Sequence, residues 1–219
     1  MEHKQKLRIL ITAGPTQEPI DAVRYIGNRS SGRLGVALAE EALGRGHQVT
    51  LLLGPTCAQP GIDAEALHLE RFRTTAELQA LLTRHWPGDM HCLIMTAAVA
   101  DYRMSHADTK GKLPRGAGSL TLHLEPTPDL VAQCAQRKRT GQRVIGFALE
   151  TPENLERRAS EKLAKKGLDA VVANPLETMD SPSISGTLIW ADGRRAAPPR
   201  PVLPKREFAQ WLLSEVLPV

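Results

Sequence analysis

The residues best suited to chemistry fall in the run Asn28-Arg29-Ser30-Ser31-Gly32-Arg33-Leu34-Gly35. A carboxamide, two hydroxyls and two glycines are the types that let an anion reach backbone N–H groups closely. Leu34, Ala37, Leu38 and Ala42 then recur at helical spacing, so a helix begins here and runs to about Gly44-Arg45-Gly46. Free N–H groups and the helix dipole make such a start a phosphate cradle. Ser30 and Ser31 are equally good helix caps, and spacing leaves both readings open. The run is neither G-x-G-x-x-G nor a P-loop.

Other candidates are spread along the chain. Asp101-Tyr102-Arg103 follows the apolar run Cys92 to Ala100, where a carboxylate serves a ligand hydroxyl, ammonium or metal, or else caps a helix or pairs with Arg103. Lys162 and Lys166 stand at i, i+4, a like-charge pair that costs a few tenths of a kcal/mol and that a solvated face tolerates. Lys110 and Lys112 lie in the polar stretch 104–118, whose Gly and Pro residues predict a mobile loop. Phe147 and Asn174 fall near the ends of apolar runs, where a ring stacks on a base or simply packs.

These residues need a scaffold. Leu7 to Thr12 is short, apolar and β-branched, a buried strand. His47 to Gly54, Cys92 to Ala100, Arg143 to Glu150 and Leu168 to Pro175 are further buried strands. Thr74-x-x-Glu77 is a capping box opening a helix with Leu78, Leu81 and Leu82. Thr127-Pro128-Asp129 starts another helix, with Pro at its first position, and a fourth runs from Pro152 to Lys166. Alternation in Ser119 to Glu125 predicts a half-exposed strand. Asp192-Gly193 marks a hairpin, and Phe208, Trp211, Leu212 and Val216 an amphipathic C-terminal helix. Strand and helix in alternation predict an α/β protein: a doubly wound, mostly parallel, Rossmann-like sheet with a flexible flap at about 104–118, read as one domain over 1–219.

Composition narrows the partners. The 219 residues carry net charge +4, with 42% hydrophobic and 4% aromatic residues. That balance suits small anionic ligands. A nucleic-acid groove would want basic residues interleaved with aromatics, so no nucleic acid is expected. Cys57, Cys92 and Cys134 have neither metal nor C-x-x-C spacing and read as reduced thiols, Cys92 in the core. No apolar leader opens MEHKQKLRILITAG and no run nears the ~18 residues of a membrane span, so the expectation is a cytoplasmic protein with no membrane partner.

The stretch ITAGPTQEPIDAVRYIGNRSSGRLG resembles the opening motif of the phosphopantothenoylcysteine synthetase family, which in bacteria reads close to ITAG-x-T-x-EPID-x-VRYI-x-N-x-SSG-x-x-G. AAVADYR, GFALET and the order of later motifs are similar to that family too, from Ile9 to about Leu217. The resemblance implies a ligase of coenzyme A biosynthesis. It would join 4′-phosphopantothenate to L-cysteine through an acyl-nucleotidylate, using CTP with Mg²⁺, as a homodimer with shared sites and without the flavin decarboxylase domain fused to many relatives.

The resemblance also implies roles for individual residues. Asn28 and the flap lysine Lys110 take part in catalysis, with Lys112 the alternative for the latter. Arg24, Asn28, Ala97, Ala98 and Asp101 bind phosphopantothenate, Arg24 reaching the neighbouring subunit's phosphate. Gly14, Ser30, Gly32 and Gly35 hold the triphosphate. Asp101, Phe147, Lys162, Lys166 and Asn174 contact the nucleotide. Metal ligands are left unassigned. The chain departs from the family at Pro126-Thr127, where a Lys-Asn is usual, and at Leu149, where an alanine is usual. Alternative readings are a nicotinamide-dependent reductase, for which no Tyr-x-x-x-Lys pair is present, and a non-catalytic nucleotide-binding regulator.

Overall fold

The computed structural model describes residues 5–217 apart from 63, 108 and 117. Asp108 and Ala117 of the expected flap, and the termini of the expected 1–219 domain, therefore lie outside the described residues.

The chain opens with β1 (Arg8–Ala13), a small hairpin of β2 (Gln17–Pro19) and β3 (Tyr25–Gly27), and helix α1 (Arg33–Gly44). Next come β4 (Gln48–Leu53), β5 (Leu67–Arg71), α2 (Thr75–His85) and β6 (Cys92–Met95). A second hairpin pairs β7 (Tyr102–Met104) with β8 (Leu124–Pro126). Then follow α3 (Leu130–Arg137), β9 (Arg143–Glu150), α4 (Leu155–Lys166) and β10 (Ala170–Pro175). The last elements are β11 (Ser183–Ile184), β12 (Thr187–Trp190), β13 (Arg195–Ala196), β14 (Leu203–Pro204) and α5 (Lys205–Val216).

The described residues form an eight-stranded sheet in the order β13-β12-β10-β9-β6-β1-β4-β5. From β10 to β5 every neighbour is parallel; β12 and β13 are antiparallel additions. Alternate residues of each strand feed opposite faces. Ile9, Ile11, Val49 and Leu51 pack under α1 and α5, while Leu10, Leu52 and Leu93 pack under α2, α3 and α4. Burial on both faces explains why these strands are unbroken apolar runs. The strand order reverses between β1 and β6, and ligands of open α/β sheets collect at such a point, beyond the carboxyl ends of the strands.

Several sequence expectations need correction. Between β1 and α1, Gln17–Pro19 pairs with Tyr25–Gly27 in a hairpin that no hydrophobic pattern in the sequence indicates. The third apolar run leaves the sheet at Met95; beyond it, Ala98 makes one bridge to Pro15. Of the alternating stretch 119–125, only Leu124 and Glu125 lie in a strand. Pro128 precedes its helix: Asp129 is the cap, accepting from Ala132 N at 3.2 Å. The fourth helix starts at Leu155 and not at Pro152. The capping box at Thr74 and Glu77 is present as read. Among the described residues no helix is long and apolar enough to cross a membrane.

Candidate functional site

A cavity of about 780 Å³ lies at the reversal of strand order. Its floor is the chain leaving β6. Thr12 holds that chain, its carbonyl accepting from Thr96 Oγ1 at 2.7 Å and its hydroxyl from Ala97 N at 3.2 Å. Thr16 Oγ1 accepts from Ala100 N at 2.9 Å, and Thr127 Oγ1 donates to Ala100 O at 2.5 Å. Backbone bonds carry the pairing past Met95, Thr96 N donating to Thr12 O at 3.1 Å, Ala98 N to Gly14 O at 3.0 Å and Thr16 N to Ala98 O at 3.1 Å, and the hydroxyls add side-chain bonds along the same extended segment. Ala97, Ala98 and the exposed Asp101 line the cavity.

The helix start forms one wall. Ser30, Ser31, Gly32 and Gly35 all line the cavity. Gly32 occupies the cap position of α1 with no side-chain cap, so neither serine caps the helix. The first-turn N–H groups therefore have no side-chain cap, the arrangement that favours an anion. Gly35 is required by packing: a Cβ there would collide with Ala13 Cβ and come within 2.6 Å of Thr96 Oγ1. Asn28 stands at the mouth, donating from Nδ2 to Val99 O at 2.8 Å. That bond leaves the amide oxygen to serve a substrate.

The opposite wall comes from β9, β10 and α4. Phe147, Lys162, Lys166 and the buried Asn174 line it. Phe147 sits within β9 and not at its end, because the strand continues to Glu150. Lys162 Nζ donates to Phe147 O at 2.6 Å. Burial, then the charge of Lys166, pushes the Lys162 ammonium down from its ordinary value; Asp129, Asp101 and Glu150 oppose this. Lys166 pairs with Asp129 at 2.9 Å.

Three predicted site residues do not line the cavity: Gly14, Arg24 and Lys110. Gly14 follows β1 with φ +81° and its backbone packs on Gly54, so it turns the chain. Its carbonyl accepts from Ala98 N at 3.0 Å, which places it behind the cavity floor. Arg24 is tied to Asp21 and donates from Nη2 to Leu113 O at 2.9 Å. Asp21 also accepts from Leu113 N at 3.1 Å, and Ala22 N donates to Gly111 O at 2.9 Å. Residues 111–113 of the expected flap are thus bound to the first hairpin. The bonds from Arg24, outweighing the cost of burial, hold the Asp21 carboxyl well below the usual carboxylate range.

Three cations that line the cavity, Arg29, Arg33 and Lys205, have no role assigned from the sequence. Burial followed by the nearby Arg33 pushes the Lys205 ammonium down, against Asp180. Lys205 opens α5, far along the chain, and only the docking of α5 against α1 brings it here. Arg29 at the rim is paired with Asp180 at 2.5 Å.

A doubly wound, mostly parallel sheet, with a cation-rich cavity and an uncapped helix start at its switch point, defines an α/β protein of the Rossmann-like class whose cavity suits an anionic ligand. The chain belongs to the family described as DNA/pantothenate metabolism flavoprotein C-terminal domain, which matches it over residues 4–219. It is 37% identical over 218 residues to the coenzyme A biosynthesis bifunctional protein CoaBC of Escherichia coli strain K12, covering 96% of this chain and 52% of that one. A protein called cysteine/cysteine sulfinic acid decarboxylase, from an unknown prokaryotic organism, is 40% identical over 170 residues, 78% of this chain and 46% of that one. The chain spans about half the length of the curated relatives it matches. The crystal structure of the C-terminal domain of a coenzyme A biosynthesis bifunctional protein CoaBC superposes with a TM-score of 0.80 at 33% identity, covering 97% of this chain and 94% of that one.

Proposed function

We propose that this chain is a phosphopantothenate–cysteine ligase acting as one domain, with CTP as co-substrate and Mg²⁺ bound with the nucleotide. The observation that carries the reading is the union in one cavity of an uncapped helix start, Lys162, Lys166 and Lys205 with a second group made of Asn28, Ala97, Ala98 and Asp101. The first group suits a triphosphate. The second offers a narrow backbone-lined path and an amide for a carboxylate. The decarboxylase named for one relative describes a protein of which this chain covers less than half.

In the first step a carboxylate oxygen of 4′-phosphopantothenate attacks the α-phosphorus, the bond to the β-phosphate oxygen breaks, and pyrophosphate leaves with the electron pair. In the second the cysteine amine attacks the acyl carbon, the bond from that carbon to the nucleotide oxygen breaks, and the nucleoside monophosphate leaves while the amine loses a proton. Such transfers need positioning and charge neutralisation more than covalent help. The α1 start, Ser30, Ser31 and the lysines serve the phosphates, and Phe147 and Asn174 the base. Asn28 holds the acyl end. Asp101 makes no ion pair among the described residues, while Asp129 and Asp180 are engaged by Lys166 and Arg29. A single carboxylate fits Mg²⁺, which keeps several waters and binds mainly through phosphates; when bound, it neutralises phosphate charge.

The placement of Arg24 and Lys110 beyond the cavity lining fits a homodimer, in which Arg24 serves the partner's phosphopantothenate and Lys110 arrives on the flap. The deciding experiment is pyrophosphate release with phosphopantothenate, cysteine and each nucleoside triphosphate in turn. Release with CTP well above ATP is expected. No release with any triphosphate overturns the ligase reading; equal or faster release with ATP overturns the choice of nucleotide.

A further inference from the structure

A second chemistry-bearing cluster lies outside the cavity. His68 and Glu70 are two residues apart on β5, the edge strand of the sheet, and so project from the same face. His85 is the last residue of α2, which packs on that side of the sheet through Leu78, Leu81 and Leu82. His85 Nε2 lies 2.5 Å from Glu70 Oε1, and His68 Nε2 lies 2.9 Å from the same oxygen. The three atoms all lie within 4.8 Å of one another. The rings stand 5.6 Å apart, tilted by 57°. Arg84 donates to the other oxygen, Glu70 Oε2, at 2.7 Å.

We propose that His68, Glu70 and His85 form a binding site for a divalent transition metal of the zinc type. Two imidazole nitrogens and one carboxylate oxygen are the donor set of zinc sites that keep one position open. Two nitrogen donors select zinc or copper over magnesium and calcium. With ligand bonds of about 2.0–2.1 Å, tetrahedral donors sit on the order of 3.3 Å apart, so the two nitrogen–oxygen separations have to open slightly. The metal replaces the two ring protons that otherwise face one carboxylate oxygen. Arg84 commits Oε2, which makes the carboxylate a one-oxygen ligand and fixes its orientation. His68 is exposed and leaves the fourth position to water.

The metal would join the edge strand to the end of α2. The connection between them carries the first hairpin: Gln17 N donates to Arg73 O at 2.8 Å, and Thr75 N and Oγ1 each donate to Glu18 Oε1 at 2.7 Å. That hairpin leads into the loop of Asn28 and Ser30. An occupied site therefore stiffens the support of the cavity wall from outside it.

The test titrates zinc chloride into metal-stripped protein by calorimetry, and cobalt(II) followed by the visible absorption of four-coordinate cobalt. One equivalent is expected to bind, and zinc should raise the Tm of the metal-free protein. His68→Gln and His85→Gln should each lower the affinity by at least the ~10–100-fold typical of losing even an outer-sphere partner, and abolish the zinc-dependent Tm rise. His106→Ala, on the exposed loop, should leave both unchanged. His68 is exposed, so its variant keeps the test open should His85→Gln fail to fold. Absence of saturable binding, or binding unmoved in the double variant, overturns the proposal.

Discussion

Lys162 Nζ donates to the carbonyl of Phe147 at 2.6 Å, tying the ammonium of α4 to the middle of β9. Both residues line the cavity. The tether holds a cation in a place where burial and a second lysine already disfavour charge. A folded protein that keeps such a group does so at a cost in stability, which an anionic ligand would relieve.

Lys162→Met should therefore stabilise the unliganded protein while impairing it as a ligase. Removing the desolvated charge should raise Tm, by roughly 2–4 °C for each kcal/mol gained in a chain of this size. Turnover should fall by ~10²–10³, the usual effect of losing one charge-stabilising donor. Calorimetric melting and pyrophosphate release check the two halves separately. A lowered Tm would show that the bond to Phe147 outweighs the desolvation.

Proton linkage follows from the same geometry. The folded, unliganded Lys162 titrates below its unfolded value, so between those two values the unfolded state binds more protons and stability rises with pH. Phosphates beside Lys162 favour its charged form and push its pKa back up. Nucleotide binding should thus take up protons as pH approaches the free-protein pKa of Lys162 and weaken as pH rises through it. Titration calorimetry in buffers of different ionisation enthalpy reads the proton number. Zero uptake across the alkaline range would count against phosphate contact at Lys162.

How much was legible differs by element. Arg143–Glu150 is bounded as read, because an apolar run ending in Thr-Pro leaves no other choice. β5 was not read at all: LHLER is an edge strand with one face in solvent, and its alternation is broken by Arg71. The run ending at Ala100 reads as strand throughout, since Ala97 and Val99 are apolar and packed; the regular strand stops at Met95, and beyond it backbone bonds to Thr12, Gly14 and Thr16 are joined by the hydroxyls of Thr12, Thr16 and Thr127. In the cavity, Ser30, Gly32 and Gly35 follow from local motif logic, whereas Arg33 and Lys205 meet only through the packing of α1 on α5. The metal cluster was invisible for the same reason, because His68 and His85 are joined by the fold and not by spacing.

Asp21→Ala should release the segment 111–113 from the first hairpin. Asp21 receives Val23 N at 2.8 Å, Arg24 N at 2.7 Å and Leu113 N at 3.1 Å. Hydrogen exchange at those three amides should speed up, while Val171 and Val172 in β10 stay protected. In the parent protein the depressed Asp21 pKa contributes stability that is present above the unfolded carboxylate range and lost as pH falls through the folded value. Unchanged exchange at Leu113 would mean that other bonds, among them Arg24 Nη2 to Leu113 O and Ala22 N to Gly111 O, secure the segment without Asp21.

Shared sites make a further claim. If Arg24 serves the partner subunit, Arg24→Ala and Asn28→Ala homodimers should both be weak. A mixture should regain part of the activity, because one composite site in a heterodimer escapes both lesions. Mixing without recovery, with heterodimers demonstrated by mass, would argue for sites complete within one chain.

The two half-reactions provide the sharpest separation of roles. In the proposed first step negative charge builds on the α-phosphate, and a flap lysine would act there. In the proposed second step Asn28, anchored to Val99 O, would hold the acyl group for attack by the cysteine amine. Lys110→Gln should therefore nearly abolish pyrophosphate release even without cysteine, a loss of ~10²–10³. Asn28→Asp should release some pyrophosphate and stall before the amide forms, leaving acyl-cytidylate on the enzyme. A single-turnover reaction with labelled phosphopantothenate, quenched with and without cysteine, resolves the species. Failure of both variants at the same step would remove the division of labour. A normal Lys110→Gln beside an inactive Lys112→Gln would move the role two residues along the flap and leave the chemistry in place.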